Sequence, residues 1–253
     1  MDRTLGLLQC FADFPEDLSA SELARERGLT LSTTHRLLQA MSATGFLEQD
    51  PVTTRYRLGP VTAELGRLAH HRRGLHRAEP ELAELSRRTG ATADLAVRVG
   101  SRAVILAGGS LDHDHSRGVR RPLHSTALGK VLLAWPDAGA ADLESLPPLT
   151  ALTDRTITDL ARLREELAQT RIRGFAVNDG ESVAGIRTVA VPILDVDDRA
   201  LFALALRSSP DVITTERLGW FVEHALECVS ALQVHLIAPD RRRRPPLWSR
   251  GRS

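Results

Sequence analysis

The chain has 253 residues, of which 42% are hydrophobic and 26% are charged, with a formal net charge of +1. This balance is typical of a globular protein with one large or two modest domains. Because no run of about 18 apolar residues is present and acidic residues follow the first apolar stretch, the sequence excludes a membrane-spanning helix and a secretory signal. We therefore expect a cytoplasmic protein.

Cysteine and charge give few functional signals by themselves. Cys10 and Cys228 each lie among apolar residues, which predicts buried side chains and neither a disulfide nor a metal site. Lys130 is the only lysine, and we expect it at a solvent-exposed helix position. Residues 1–59 hold six arginines and eight acids, so only the arrangement of the arginines can indicate binding to nucleic acid.

The N-terminal region predicts a helix-turn-helix. The first predicted helix covers residues 4–14, and its apolar face consists of Leu5, Leu8 and Ala12. Ser19 and Glu22 have the spacing of a capping box that begins a helix at residues 20–27, and Gly28 is a suitable left-handed end. A short turn then leads to another helical segment, which is the pattern of a helix-turn-helix.

The second helix of this motif lies within residues 29–46, LTLSTTHRLLQAMSATGF. Its predicted buried stripe consists of Thr34, Leu37, Leu38 and Met41. Ser32, Thr33, Arg36 and Gln39 then point outward. The short hydroxyls and Arg36 can contact base edges or phosphates in a major groove. For Ser32, capping of the helix is an equally good interpretation. His35 lies at the edge of the stripe and is expected to pack.

The segment LEQDPVTTRYRLG, residues 47–59, predicts a β-hairpin that would form a wing. Arg55 and Arg57 alternate with Tyr56 in its second strand. These side chains would approach the DNA backbone or the neighbouring minor groove, and the alternative is a solvent-exposed strand edge.

Beyond the wing, the pattern changes to mixed α/β. Residues 60–90 predict a helical segment with breaks at Gly74 and Pro80, of which residues 60–77 would form a linker helix. Residues 78–238 predict a second domain. In that domain we predict paired strands at 91–99 and 102–108, helices at 125–135 and 159–174, paired strands at 188–195 and 200–208, and a helix at 214–236. Residues 239–253 are basic and predict a disordered tail.

Three segments resemble the IclR family of transcriptional regulators. They are SASELARERGLTLSTTHRLLQAMSATGFLEQDPVTTRYRLGP, RPLHSTALGKVLLA and RGFAVNDGESVAGIRTVAVPILD, which occur in the family's order. The resemblance implies an α+β protein with an N-terminal winged helix-turn-helix domain, a linker helix and a C-terminal GAF-like α/β domain that binds a small effector. It also implies a dimer or a dimer of dimers.

A ligand site is expected in the C-terminal domain. Ser125 or Thr126 can cap a helix whose first free amides suit an anion, because helix N-termini favour negative charge. The resemblance places Ala127 and Leu128 at the backbone contacts of the effector. An ordinary capped helix is the alternative.

The resemblance also indicates the opposite side of that site. Asn178 stands where the family commonly has an acid, Thr188 where it commonly has a cysteine, and Arg207 where a small serine is common. If Arg207 points inward it could clamp a carboxylate, phosphate or sulfate, whereas pointing outward it would be a surface charge. Ile186 is a candidate apolar wall.

Two further patterns do not predict a metal site or a catalytic site. The run LDHDHSRG, residues 111–118, contains metal-capable side chains, but no distant cysteine or histidine completes a set, so no metal and no cofactor is expected. His124 beside Ser125 resembles half of a nucleophile and base pair, but adjacent residues rarely reach the required geometry, and no catalytic residue is predicted.

The sequence therefore favours a sequence-specific regulator that binds double-stranded DNA as a homo-oligomer and responds to a small, anionic metabolite. It does not distinguish a repressor from an activator. The alternatives are a sequence-independent structural DNA-binding protein, which would need no ligand site, and an enzyme using the C-terminal domain.

Overall fold

A computed structural model describes residues 2–14, 16–110, 120–136 and 143–243. The chain forms two compact units, with the boundary after Arg73. Among the described residues, no helix combines the length and apolarity needed to cross a membrane.

The first unit is a three-helix domain with a β-hairpin and a following helix. Its elements are α1 (Asp2–Cys10), α2 (Ala20–Arg27), α3 (Leu31–Ala43), β1 (Leu47–Gln49), β2 (Tyr56–Leu58) and α4 (Pro60–Arg72). The predicted capping box is present, with the Glu22 amide donating to the Ser19 hydroxyl at 3.2 Å and the Ser19 amide donating to the Glu22 carboxylate at 2.7 Å. Gly28 ends α2 with φ 61°, as predicted.

The core of this unit confirms the predicted stripe of α3 but corrects that of α1. Leu38 and Met41 are buried with α1 residues Leu7 and Cys10. Leu5, which was predicted to be buried, is 53% exposed. The prediction failed because the buried face of α1 is the one that carries Leu7 and Cys10, with Leu8 packed at its edge, and Leu5 lies outside that face.

The second unit is a six-stranded sheet between two helical layers. Its elements are α5 (Leu75–Thr89), β3 (Thr92–Val99), β4 (Arg102–Gly108), β5 (Arg120–Pro122), α6 (Ala127–Ala134), α7 (Leu160–Arg173), β6 (Ala176–Asp179), β7 (Arg187–Leu194), β8 (Ala200–Ser208) and α8 (Leu218–Leu236). The strand order is β5-β4-β3-β8-β7-β6. Both predicted strand pairs are confirmed as antiparallel. One sheet face packs against α5 and α8, and the other packs against α6 and α7.

The predicted linker helix of residues 60–77 is two helices. The chain turns at Gly74, whose φ of 73° disfavours any other residue, and a Cβ there would collide with the carbonyl of His235. The predicted break at Pro80 is wrong, because α5 continues through it.

The predicted disordered tail begins with an ordered segment. The Arg241 guanidinium bonds the Asp195 carboxylate at 2.8 Å, and the Val196 amide donates to the Arg241 carbonyl at 3.0 Å. Arg242 forms an isolated β-bridge with Asp195. Residues 239–243 are therefore bound to the turn between β7 and β8, and residues 244–253 lie outside the described ranges.

Candidate DNA-binding surface and ligand site

The outward face of α3 has exposed polar side chains in its first two turns. Thr30 is the N-cap, because its hydroxyl accepts the Thr33 amide at 3.3 Å, so the interpretation of Ser32 as the cap is wrong. Ser32 is exposed, and its hydroxyl lies 3.3 Å from that of Thr30. Arg36 is also exposed and has no hydrogen bond or ion pair with any described residue. The start of α3 is thus available to a partner.

His35 belongs to the same exposed face, which corrects the expectation that it packs. Residues 32, 35, 36 and 39 are spaced as neighbours on one side of a helix, and all four are exposed. The stripe centred on Leu38 is too narrow to include His35. The outward position predicted for Gln39 is confirmed, and His35 extends the candidate DNA-binding surface beyond the predicted residues.

The wing residues have three different environments. Tyr56 is 2% exposed and pairs through its backbone with Leu18, so it cannot contact DNA as predicted. Arg55 bonds the Asp17 carbonyl and the Glu22 carboxylate, each at 2.8 Å. Arg57 is the most exposed of the three, with 56% of its side chain accessible, and it pairs with Glu48 at 3.0 Å.

These contacts predict different results for two matched substitutions. Arg57→Ala should lower the slope of log affinity against log salt concentration by about one, because an exposed arginine can exchange its surface carboxylate for a phosphate. Arg55→Ala should leave the slope nearly unchanged but lower the unfolding temperature, since Glu22 loses its partner. Fluorescence anisotropy with a duplex at several salt concentrations measures the first effect, and calorimetry the second. A reduced slope for Arg55→Ala alone would contradict this assignment.

The N-terminus of α6 carries a second set of free polar groups. Thr126 is the N-cap, accepting the Gly129 amide at 3.1 Å and donating to the Pro122 carbonyl at 2.7 Å. Ala127 and Leu128 are buried, and their amides belong to the first turn, which has no intrahelical acceptors. The hydroxyl of Ser125 is buried without a partner among the described residues. These groups can bind an anion.

A row of polar residues crosses the sheet. Asn178 is opposite Thr188, Thr188 is opposite Arg207, and Arg207 is opposite Thr92. Because residues in register point to the same face, these side chains share one side of the sheet. That side is the one that packs against α6, since Ala205, two residues before Arg207, belongs to the α6 cluster.

The direction of α6 brings its N-terminal end toward this row. The Ala200 amide at the start of β8 donates to the Trp135 carbonyl just after α6, at 3.0 Å. The C-terminal end of the helix therefore lies over the start of β8, and its N-terminal end points toward the end of β8 that carries Arg207. The sequence left open which way the Arg207 side chain points. In the structure it points to the face of the sheet that packs against α6.

Asp94 is a residue of this face that the sequence analysis missed. It is 3% exposed, and its two carboxylate oxygens accept the Ser110 amide at 2.9 Å and the Ser110 hydroxyl at 2.5 Å. Burial raises the pKa of this carboxyl, and the Ser110 hydrogen bonds and the charges of Arg207 and Arg121 oppose the rise. The only signal in the sequence is one acid within the apolar strand TADLAVRV.

The remaining predicted site residues differ in how freely they could bind a ligand. Asn178 is 1% exposed, accepts the Glu181 amide at 2.8 Å and donates to the Ser182 hydroxyl at 2.6 Å. Thr188 is 8% exposed, and Ile186 is partly buried. Asn178 therefore shapes the loop after β6, in addition to any contact it makes.

Comparison with known proteins decides the family. A family model described as "Bacterial transcriptional regulator IclR C-terminal" matches residues 67–234, and the IclR helix-turn-helix domain matches residues 1–51. The chain belongs to the IclR family. It is 33% identical over 240 residues to the HTH-type transcriptional regulator XynR of Escherichia coli K12, covering 92% of this chain and 94% of that one.

Solved structures of IclR proteins have the same fold. An IclR transcriptional regulator from Silicibacter sp. TM1040 matches with a TM-score of 0.84 and 28% identity, covering 96% of this chain and 97% of that one. An IclR homologue from Microbacterium hydrocarbonoxydans, complexed with 4-hydroxybenzoate, matches with a TM-score of 0.75 and 25% identity, covering 92% and 97%. The predicted fold class and the predicted function as a DNA-binding transcriptional regulator are confirmed.

Two polar side chains of this IclR domain bond to distant parts of the chain. His124 directs Nε2 to the Thr150 carbonyl at 3.1 Å, a contact unrelated to the hydroxyl of Ser125. Lys130 was expected in solvent but is 1% exposed, with its Nζ 2.6 Å from the Glu181 carboxylate. The metal-capable run at residues 111–118 lies outside the described ranges.

Proposed function

We propose that this IclR regulator binds its operator through α3 and that a small carboxylate bound beside α6 changes operator affinity. The observation that carries the DNA part is the exposed N-terminal face of α3, on which Ser32 is exposed and Arg36 has no hydrogen bond or ion pair with any described residue. Thr33 would position the helix, and Arg57 would contact phosphate from the wing. Arg55 has a structural role in this proposal.

Three kinds of group support an anionic ligand. The amides of Ala127 and Leu128 open the helix, Ser125 has a buried free hydroxyl, and Arg207 faces the same side of the sheet. Thr188, Asn178 and Ile186 would complete the polar and apolar walls. A carboxylate fits this set, and the 4-hydroxybenzoate bound by the Microbacterium hydrocarbonoxydans relative contains one.

We further propose that two copies pair through α4. This helix has no buried residue, and Leu65 and Leu68, three positions apart, are 48% and 39% exposed. Such a stripe on a helix is typical of an interface with a second helix. Paired copies would present two α3 helices to two half-sites of one operator. This binding would take place in the cytoplasm, where the chromosome lies.

A double substitution tests this pairing. Leu65→Glu/Leu68→Glu should shift the sedimenting mass at micromolar concentration to that of one chain and weaken operator binding, because each copy then binds a single half-site. Ile172→Glu, at a residue of α7 that is 77% exposed, is the matched control and should leave both unchanged. An unchanged mass for the α4 variant would place the interface elsewhere.

The proposal as a whole is tested by footprinting of the promoter regions beside the gene, with and without a panel of small carboxylates. We expect one protected region with repeated half-sites, and a change in protection with at least one carboxylate. Equal affinity for operator and scrambled duplex would instead favour the sequence-independent structural protein. Turnover of any panel member would favour an enzyme, which we do not expect.

A further inference from the structure

Lys130 and Glu181 form a buried ion pair beside the proposed ligand site. Lys130, on the first turn of α6, directs Nζ to a Glu181 carboxylate oxygen at 2.6 Å and to the Val177 carbonyl at 3.0 Å. The two residues are 1% and 8% exposed. Their bond therefore joins α6 directly to β6 and to the loop that follows it.

The charges around this pair are balanced. Glu166 of α7 lies 3.5 Å from Nζ of Lys130 and also pairs with Arg173 at 3.0 Å. Burial raises the pKa of Glu181, and the charge of Lys130 opposes this rise. A buried ion pair contributes little net stability compared with apolar residues of similar size. Stability therefore does not explain why this pair is present, and its directional hydrogen bonds are the property that could serve a function.

The bonds of Glu181 continue into the ligand site. Its amide donates to Asn178, and its carbonyl accepts the hydroxyls of Thr153 and Thr156 at 3.2 and 2.6 Å. Lys130 thus links the helix that carries the free amides to the loop held by Asn178. These elements are two walls of the proposed site.

The other side of α6 is fixed by close packing. Gly129 lies so near Leu123 that a Cβ would collide with the Leu123 backbone. The first turn of α6 is therefore held against the segment after β5 on one side, and by Lys130 against β6 on the other. Loss of the Lys130 bonds would free one side only.

We propose that Lys130 and Glu181 are positioning residues, which set the distance between the α6 amides and the loop after β6 so that both contact one ligand. Neither side chain touches the ligand, and the inference rests on the proposed ligand site. Ligand affinity then depends on the hydrogen bond between the two residues, because that bond sets the distance between the walls of the site. It does not depend on how much the pair stabilises the fold.

Two variants separate positioning from stability. Glu181→Gln keeps an acceptor for Nζ but leaves the charge of Lys130 opposed only by Glu166, which also pairs with Arg173. It should therefore lower the unfolding temperature while the dissociation constant stays within about threefold of the parent's. Lys130→Met/Glu181→Met removes both charges and keeps similar volume. It should unfold near the parent's temperature, yet bind ligand at least tenfold more weakly.

Calorimetric titration with glyoxylate, pyruvate, lactate and 4-hydroxybenzoate as probes measures these affinities, and differential scanning calorimetry gives the unfolding temperatures. If affinity follows unfolding temperature through both variants, or if the double variant binds a probe as the parent does, the positioning role is wrong and the proposed function stands. If the parent binds none of the four probes, the ligand site of the proposed function fails, and this inference fails with it.

Discussion

Arg36→Ala is expected to weaken binding to the operator by about 1–3 kcal/mol, roughly 5- to 150-fold, while binding to unrelated duplex changes little. The reason is the position of Arg36 on the outward face of α3, exposed and without a described partner. An arginine placed there can bond a guanine edge with two parallel hydrogen bonds, and alanine offers none. Removal should therefore lower the ratio of operator affinity to unrelated-duplex affinity by about the same factor as the operator affinity itself.

Anisotropy titrations at fixed salt, with the operator and with a scrambled duplex, measure this ratio. Arg162→Ala is the matched control, because Arg162 is also an exposed helical arginine but belongs to the second unit. It should change neither affinity. An equal loss on both duplexes for Arg36→Ala would assign Arg36 to phosphate and leave base recognition to other residues of α3.

Local sequence signals predicted most of the DNA-binding unit. The capping box of α2, its glycine end and the buried stripe of α3 each depend on residues within a few positions of one another. The errors in the wing have a different origin. Tyr56 is buried because it pairs with Leu18, and Arg55 is held by Asp17 and Glu22, all of them more than 30 residues away along the chain. A local pattern of apolar and polar residues cannot indicate contacts between segments so far apart along the chain.

In the second unit, too, local patterns did not predict which charged residues are buried. Strand pairs and helices followed from alternation and helical spacing, but Lys130 and Asp94 were not recognised as buried. The partner of Lys130 is 51 residues away, and that of Asp94 is 16 residues away. A charge is buried only where the fold supplies a partner, and that partner depends on the order of strands in the sheet. The sheet register likewise decided the direction of Arg207.

Arg207→Ala is expected to remove most of the response to ligand. A hydrogen bond to a charged group contributes about 1.5–3 kcal/mol, so the affinity for a carboxylate should fall by roughly 10- to 150-fold. Arg207→Lys should retain part of the affinity, because lysine keeps the positive charge but cannot form the bidentate hydrogen bonds of a guanidinium. Calorimetric titration gives the affinities, and release of operator DNA by the same carboxylate gives the functional response.

The same substitution should change stability, because Arg207 also acts on Asp94. Burial raises the folded-state pKa of Asp94 above its unfolded value, so its contribution to stability is present below the unfolded pKa and is lost as the pH rises through the folded pKa. Without Arg207 that pKa rises further, and more stability is lost on going from acid to neutral pH.

Arg207→Ala/Asp94→Asn separates the two effects. The amide carries no charge, so the double variant should recover the unfolding temperature at neutral pH, while its affinity for the carboxylate stays low. If ligand binding returns together with stability, Arg207 acts on the ligand only by compensating Asp94, and the carboxylate must be bound by the N-terminal turn of α6 alone.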